Sequence, residues 1–375
     1  MASARQTRRR DPADVACELH ERALKFLARK DAKRARSLCL RSLSLLKKSV
    51  GSRHPDVANI TSTLAETYQA EGDHKSAERL CRRAVAIFDG ALAHTRQVVV
   101  REMLAQCLMQ LGAIYQELGR YPESERSYRR ALRLAEKIYT PGSLRVTGFL
   151  NNLAVLYKYM GRFNEAHTLY QRALKISERE LGADHPELAT LYHNLGGLEH
   201  ARGRFARGEP FARKSVELRE KALGARHPAV AADVAALAAI LEGQDKFDEA
   251  ELLYQRALGI FRRIRPPAHY DIAVNLNNLG ALNFARGNPR KAEPLFLQSL
   301  ALKRKLFGPV HPDLALTQLN LASLYKSEDN WKSAEPLFRR ALSTFDKTLG
   351  SSHPNTVRCR TEFTEGKRNA SRNSA

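Results

Sequence analysis

Histidine stands beside proline at five similar places in this sequence: GSRHPD (Gly51 to Asp56), GADHPE (Gly182 to Glu187), GARHPA (Gly224 to Ala229), GPVHPD (Gly308 to Asp313) and GSSHPN (Gly350 to Asn355). Imidazole is the side chain most used to bind metals and to move protons near neutral pH. The five copies are therefore either a distributed metal or proton-transfer site or a boundary signal, and spacing separates the two. His185, His227, His311 and His353 lie at multiples of 42 residues, which puts them at one place on successive structural units. Stacked helical layers lie about 10 Å apart, whereas imidazoles sharing a metal each approach it to about 2 Å. No metal site and no cofactor are expected. The flanks read as punctuation: a Gly after the last apolar residue of one helix, and a Pro suited to the first turn of the next. The histidine is left at the cap. At the sixth unit the pair becomes His269-Tyr270, with Pro266 and Pro267 just upstream.

The elements that position these histidines repeat with the same period. A small residue recurs in one local frame at Ala35, Ala77, Ser124, Ala166, Gly208, Ala250, Ala292 and Ala334, with steps of 42, 47 and then 42 five times. A ladder of that regularity is the mark of stacked units, each too small to bury a core alone. Within a unit, Leu188, Leu191, Leu195 and Leu198 recur at helical spacing, a break follows at RGRF, and Val216, Leu218 and Leu223 continue in a second periodic run. The expectation is two helices per unit. Five extra residues between the second and third units, where His-Pro is missing, predict either a longer helix or a bulged loop.

The segments LNNLAVLYKYMGRFNEAHTLYQRAL (Leu150 to Leu174) and LNNLGALNFARGNPRKAEPLFLQSL (Leu276 to Leu300) resemble the tetratricopeptide repeat, in the 42-residue form of kinesin light chains and their relatives. Ala154, Tyr157, Gly161, Phe163, Ala166, Tyr170 and Ala173 occupy the signature positions. The resemblance covers residues 13–352 and implies an all-α, right-handed superhelical solenoid of about eight helix-turn-helix repeats. Residues 1–12 then form a basic disordered arm, and residues 353–375 a partial capping helix that gives way to a disordered polar tail. Small residues let paired helices approach, while rings fill the space between pairs. Two departures stand out. Gly208 at the ladder position and Glu199 at the Tyr157 equivalent predict a locally looser unit, and Asp245 and Asp329 replace the turn glycine.

Stacked helix pairs curve into an extended concave surface, and in this family the first helix of each pair lines it. Fourteen residues before the ladder position stand Asn152, Asn194, Asn278 and Asn320; fifteen before it stand Asn151, His193 and Asn277. An amide carries both a donor and an acceptor and can clamp a peptide backbone. The alternative is that these amides bond between neighbouring helices and fix their register. Lys158, Tyr159 and His200 lie on the next turn, and Lys326 is a further groove cation. Kinesin light chains take acidic cargo peptides, which makes an acidic peptide the partner the resemblance suggests, although Glu66, Glu117 and Glu242 also face the predicted groove. No N-terminal heptad coiled coil of the kind that joins a light chain to its motor is read here, so a general adaptor is favoured over a motor subunit.

Composition bounds the rest. The 375 residues are 43% hydrophobic and 27% charged, with mean hydropathy -0.44, and no apolar run of membrane-spanning length is read. Five cysteines without a C-x-x-C pair suit buried thiols in a reducing compartment, and cytoplasm is the default. Phosphate-loop, zincin, nucleophile-elbow and dinucleotide fingerprints are missing, so no enzymatic activity is expected. The net charge of +22 invites a nucleic-acid or anionic-surface reading, but Arg82, Arg83, Arg129, Arg130, Arg339 and Arg340 all fall on second helices, on the expected convex side. That reading is the runner-up to a protein-binding scaffold.

Overall fold

Five positions before each ladder residue the backbone turns to positive φ: Lys30 (61°), Gly72 (81°), Gly119 (71°), Gly161 (73°), Gly203 (67°), Asp245 (60°), Gly287 (74°) and Asp329 (56°). This residue closes the first helix of each pair, and the next N–H bonds back over it, as in Arg162 N to Tyr157 O (2.8 Å) and Lys246 N to Leu241 O (3.0 Å). Asp245 and Asp329 thus hold the turn that glycine holds elsewhere.

The computed structural model describes residues 11–93, 97–264 and 269–373. In the unit Met1–Ala183 the helices are α1 Pro12–Ala28, α2 Ala32–Val50, α3 Pro55–Ala70, α4 His74–Leu92, α5 Val98–Glu117, α6 Tyr121–Tyr139, α7 Thr147–Tyr159 and α8 Phe163–Leu181. In the unit Asp184–Ala375 they are α9 Ala189–Ala201, α10 Phe205–Leu223, α11 Pro228–Glu242, α12 Phe247–Ile264, α13 Tyr270–Ala285, α14 Pro289–Phe307, α15 Pro312–Ser327, α16 Trp331–Thr348 and α17 Pro354–Asn373. Single 3₁₀ turns at Leu144–Val146 and Pro186–Leu188 lead into α7 and α9.

Odd and even helices pair, giving an all-α helical-repeat fold. The ladder residue is the fourth residue of every second helix from α2 to α16, and all eight are buried. Rings of Phe88, Tyr170, Tyr254, Phe296 and Phe338 fill the interior beside them. Within each unit, consecutive first helices approach to within 8 Å between Cα atoms, as α3 does to α5 and α11 to α13; consecutive second helices do not, among the described residues. The first-helix side is therefore the inner side of each unit.

The recurrent histidines are caps. Nδ1 of His54, His185, His227, His269, His311 and His353 lies 3.1–3.3 Å from the backbone N–H donor two residues on. This satisfies one of the orphan donors of the following helix, and it requires the imidazole proton on Nε2. Pro55, Pro186, Pro228, Pro312 and Pro354 stand at the first helical position behind the cap.

Several expectations change. The five-residue insertion lengthens α5, which spans 20 residues where α3, α13 and α15 span 16. By length and composition α5 could cross a membrane, contrary to the sequence reading, but its Leu104, Leu108, Leu111 and Ile114 are buried against neighbouring helices. Beyond the eighth pair, α17 runs to Asn373 and packs Cys359 and Phe363 against Phe338 and Trp331. Of the arm, residues 1–10 lie outside the described residues, and Asp11 caps α1 through the N–H of Ala13 at 2.9 Å. Four cysteines are buried and Cys17 is exposed. The unit with Gly208 and Glu199 is closely packed. A Cβ at Gly208 would meet the Gly196 carbonyl oxygen at 3.2 Å, so two glycines set the approach of α9 to α10. Glu199 is buried against Arg202 Nη1 at 3.0 Å.

Candidate functional site

The first helices position the predicted residues through one repeated contact. At four joints the residue fifteen before one ladder position meets the residue fourteen before the next. His20 Nε2 lies 2.8 Å from Thr63 Oγ1, Ser62 Oγ donates to Gln110 Oε1 at 2.6 Å, Asn152 Nδ2 reaches Met109 Sδ at 4.0 Å, and Asn320 Nδ2 donates to Asn277 Oδ1 at 3.3 Å. Asn277 and Asn320 are thus brought together, with Asn277 buried. Asn151 donates to Asn152 Oδ1 at 3.3 Å. Asn151, Asn152, Asn194 and Asn278 are half-buried on the first-helix side.

The next turn is more varied. Tyr159 is 64% exposed, and His200 is exposed with its ring edge-on to Phe205 at 5.4 Å. Lys158 is half-buried, and burial pushes its ammonium below the ordinary lysine range. Lys326 is held by α17: its Nζ lies 2.9 Å from Glu365 Oε2 and donates to the Glu362 carbonyl at 3.4 Å.

Charge divides between the two kinds of helix. The eight first helices, α1 to α15, carry 5 Lys and Arg against 12 Asp and Glu, and the eight second helices, α2 to α16, carry 35 against 17. Many second-helix cations are stapled across successive repeats: Arg130 to Asp89, Arg172 to Glu136 (2.7 Å) and Arg256 to Glu220. Arg129 donates to Tyr157 Oη at 3.0 Å, and Arg339 pairs with Glu335 at 2.7 Å. Furrows between second helices in the first unit include one of about 330 Å³ lined by Arg82, Leu108, Tyr115 and Arg130, and one of about 410 Å³ lined by Arg129, Arg133, Leu153 and Leu169.

The tetratricopeptide repeat pattern matches residues 14–90, 103–178, 145–207, 187–263 and 271–347. The chain belongs to the tetratricopeptide repeat family. The quorum sensor NprR from B. thuringiensis, in its apo form, is similar in structure, with TM-score 0.67 and 12% identity over 90% of this chain and 89% of that one. A Rap protein complexed with competence and sporulation factor gives TM-score 0.59 and 11% identity over 96% and 99% of the two chains. The kinesin light chain repeats of Podosopora anserina give TM-score 0.45 and 23% identity over 55% of this chain and 97% of that one. Comparison with curated proteins gives no match.

Against the tetratricopeptide frame, one cluster escaped the sequence reading. Eleven residues after the ladder position, Leu46, Phe88, Phe261 and Phe345 are apolar, but Arg219 and Lys303 are cations. Asp233 on α11, 3% exposed, meets Arg219 Nε at 2.5 Å, His193 Nδ1 at 2.7 Å and Ser215 Oγ at 2.8 Å. Burial alone would raise the Asp233 pKa; the His193 and Arg219 contacts outweigh it and hold the carboxyl below its usual range. Ser, His and Asp meet here, but serine and histidine both address the carboxylate, so this is no nucleophile relay. Two repeats on, buried Lys303 donates to Thr317 Oγ1 at 2.9 Å and to the Asp313 carbonyl at 3.2 Å. Burial pushes its ammonium down to about 8. The signal available in the sequence was the cation at an apolar register, together with a lone Asp in AADVAALAAI. Among the described residues no group of three or more His, Cys, Asp or Glu is placed to hold a metal ion.

Proposed function

We propose that this tetratricopeptide chain is a non-enzymatic protein-interaction adaptor that holds an extended partner segment against its first helices. The observation that carries this reading is the division of charge. The inner, first-helix side of each unit presents half-buried amides and exposed rings with few cations, while the basic residues stand on the second helices. A face of that kind suits the uncharged polar backbone of a peptide. With carboxylates outnumbering cations on it, the segment it favours is neutral or basic rather than acidic. Asn152, Asn194 and Asn278, with Lys158, Tyr159 and His200, are the contacts of this reading; Asn277 and Asn320 serve register. That the similar Rap protein is complexed with competence and sporulation factor agrees with a protein or peptide partner.

A photo-crosslinking residue at Tyr159, compared with one at Arg133 on a second helix, tests the reading in cells. Crosslinks to a discrete protein at 159 and not at 133 are expected. The reverse pattern, or RNA recovered at 133 with a steep salt dependence, transfers the function to the basic face.

A further inference from the structure

The inter-repeat staple has a strict register. In Arg130–Asp89, Arg172–Glu136 and Arg256–Glu220 the cation stands six residues after its ladder position, and the carboxylate stands twelve after the preceding one. The geometry of consecutive second helices therefore brings these two positions within ion-pair reach. At α2 and α4 the same two positions are Lys47 and Arg83. The acid has become a cation, and the staple is inverted.

Other observations fall at the same place. Arg53, in the turn between α2 and α3, joins Arg83, Ala86, Ile87, Gly90 and Ala91 in lining a cleft of about 450 Å³ whose wall contains no carboxylate. Neither Arg53 nor Arg83 makes an ion pair among the described residues. Burial, with the Arg83 charge beside it, pushes the Lys47 ammonium below its ordinary range, as expected of cations that face each other without a counterion. The joint is rich in positive charge: α2 carries six Lys and Arg and no Asp or Glu.

We propose that the cleft beside α4 and the turn after α2 is an anion site for a phosphate monoester, with the phosphoryl oxygens held by Arg83 and Arg53, which line it, and with Lys47, at the position where other joints carry a carboxylate, adding its charge from beside Arg83. Guanidinium forks match tetrahedral oxyanions, and a dianion neutralises a cluster that one carboxylate elsewhere neutralises singly. The apolar wall of Ala86, Ile87 and Ala91 takes the organic part of the ester. The inference is independent of the partner reading of the first helices, since it lies on the opposite kind of helix. The same inversion recurs in the sequence at Arg304 and Arg340, so a local readout is needed.

The full chain is followed by hydrogen-exchange mass spectrometry while phenyl phosphate or inorganic phosphate replaces chloride at constant ionic strength. Slower exchange is expected in segments covering Lys47 to Arg53 and Arg83 to Ala91, with phenyl phosphate effective at lower concentration. Lys47→Glu installs the carboxylate that Asp89, Glu136 and Glu220 supply at their joints; it should abolish that protection, weaken binding about tenfold or more and raise the melting temperature. Arg83→Gln removes one cation without adding a charge and should weaken protection in the same segments. Phosphatidylcholine vesicles with and without phosphatidic acid form a second arm: protection there, lost in Lys47→Glu, assigns the phosphoryl group to a lipid headgroup rather than to a soluble ester. No protection with any phosphate, or equal protection in wild type and Lys47→Glu, overturns the site.

Discussion

Two repeats of the second unit place a cation at the same otherwise apolar register, Arg219 half-buried and Lys303 buried, and treat it differently. Arg219 is met by Asp233, while among the described residues Lys303 is met by neutral oxygens, those of Thr317 and the Asp313 carbonyl. A guanidinium cannot shed its proton, so burying it demands a counterion. An ammonium can, and Lys303 escapes part of the cost by a lowered pKa. One joint is thus held by charge and the other tolerates it.

The largest break in this comparison is Asp233→Ala. It leaves the Arg219 guanidinium, the Ser215 hydroxyl and His193 facing a void at a place 3% exposed. Removing one partner of a buried pair costs about 3 kcal/mol or more, read as a fall in the urea midpoint. A loss under about 1 kcal/mol would mean that Arg219 finds water as easily as it found Asp233.

Lys303 supplies a smaller, pH-dependent effect of opposite kind. Its pKa in the fold is about 8, below the ordinary value of about 10.4, so between these values the unfolded chain binds more protons than the folded one. Stability therefore rises with pH across that window, and the cost of the buried charge is fully present below it. From pH 7.5 to 10 the gain is about 2 kcal/mol relative to Lys303→Met, which lacks the group. Parallel stability curves for wild type and Lys303→Met would refute the lowered pKa.

Neither joint was legible from composition, although the register was. The fold followed from the ladder because every second helix starts three residues before its small residue and every first helix ends on a positive-φ turn; one period fixed both. The capping histidines were legible for the same reason. The amides stand on first helices, but their contacts across repeats depend on what stands one register away in the next one, so Asn320 meets the amide of Asn277 and Asn152 the thioether of Met109. The close packing of α9 on α10 was misjudged because Glu199 drew attention as a missing ring, while the approach is set by Gly196 and Gly208. The length of α17 was not legible because a polar sequence with few apolar residues, Cys359 and Phe363 among them, needs only one packed face. The inverted staple at Lys47 was present in the sequence and became readable only once Arg130, Arg172 and Arg256 had shown which positions meet.

The smallest expected effect isolates what the carboxylate contributes. Arg219→Lys keeps a cation beside Asp233 but gives up the fork that also reaches Thr190 Oγ1 at 3.4 Å, a loss of about 1 kcal/mol. The informative reading is its pH dependence. With Asp233 still ionised beside it, the new ammonium should keep its proton to the ordinary lysine range, so the variant should show no gain between pH 7.5 and 10 beyond that of wild type. If Arg219→Lys instead gains stability with pH as Lys303 does, burial alone governs both joints and Asp233 is not the counterion that separates them.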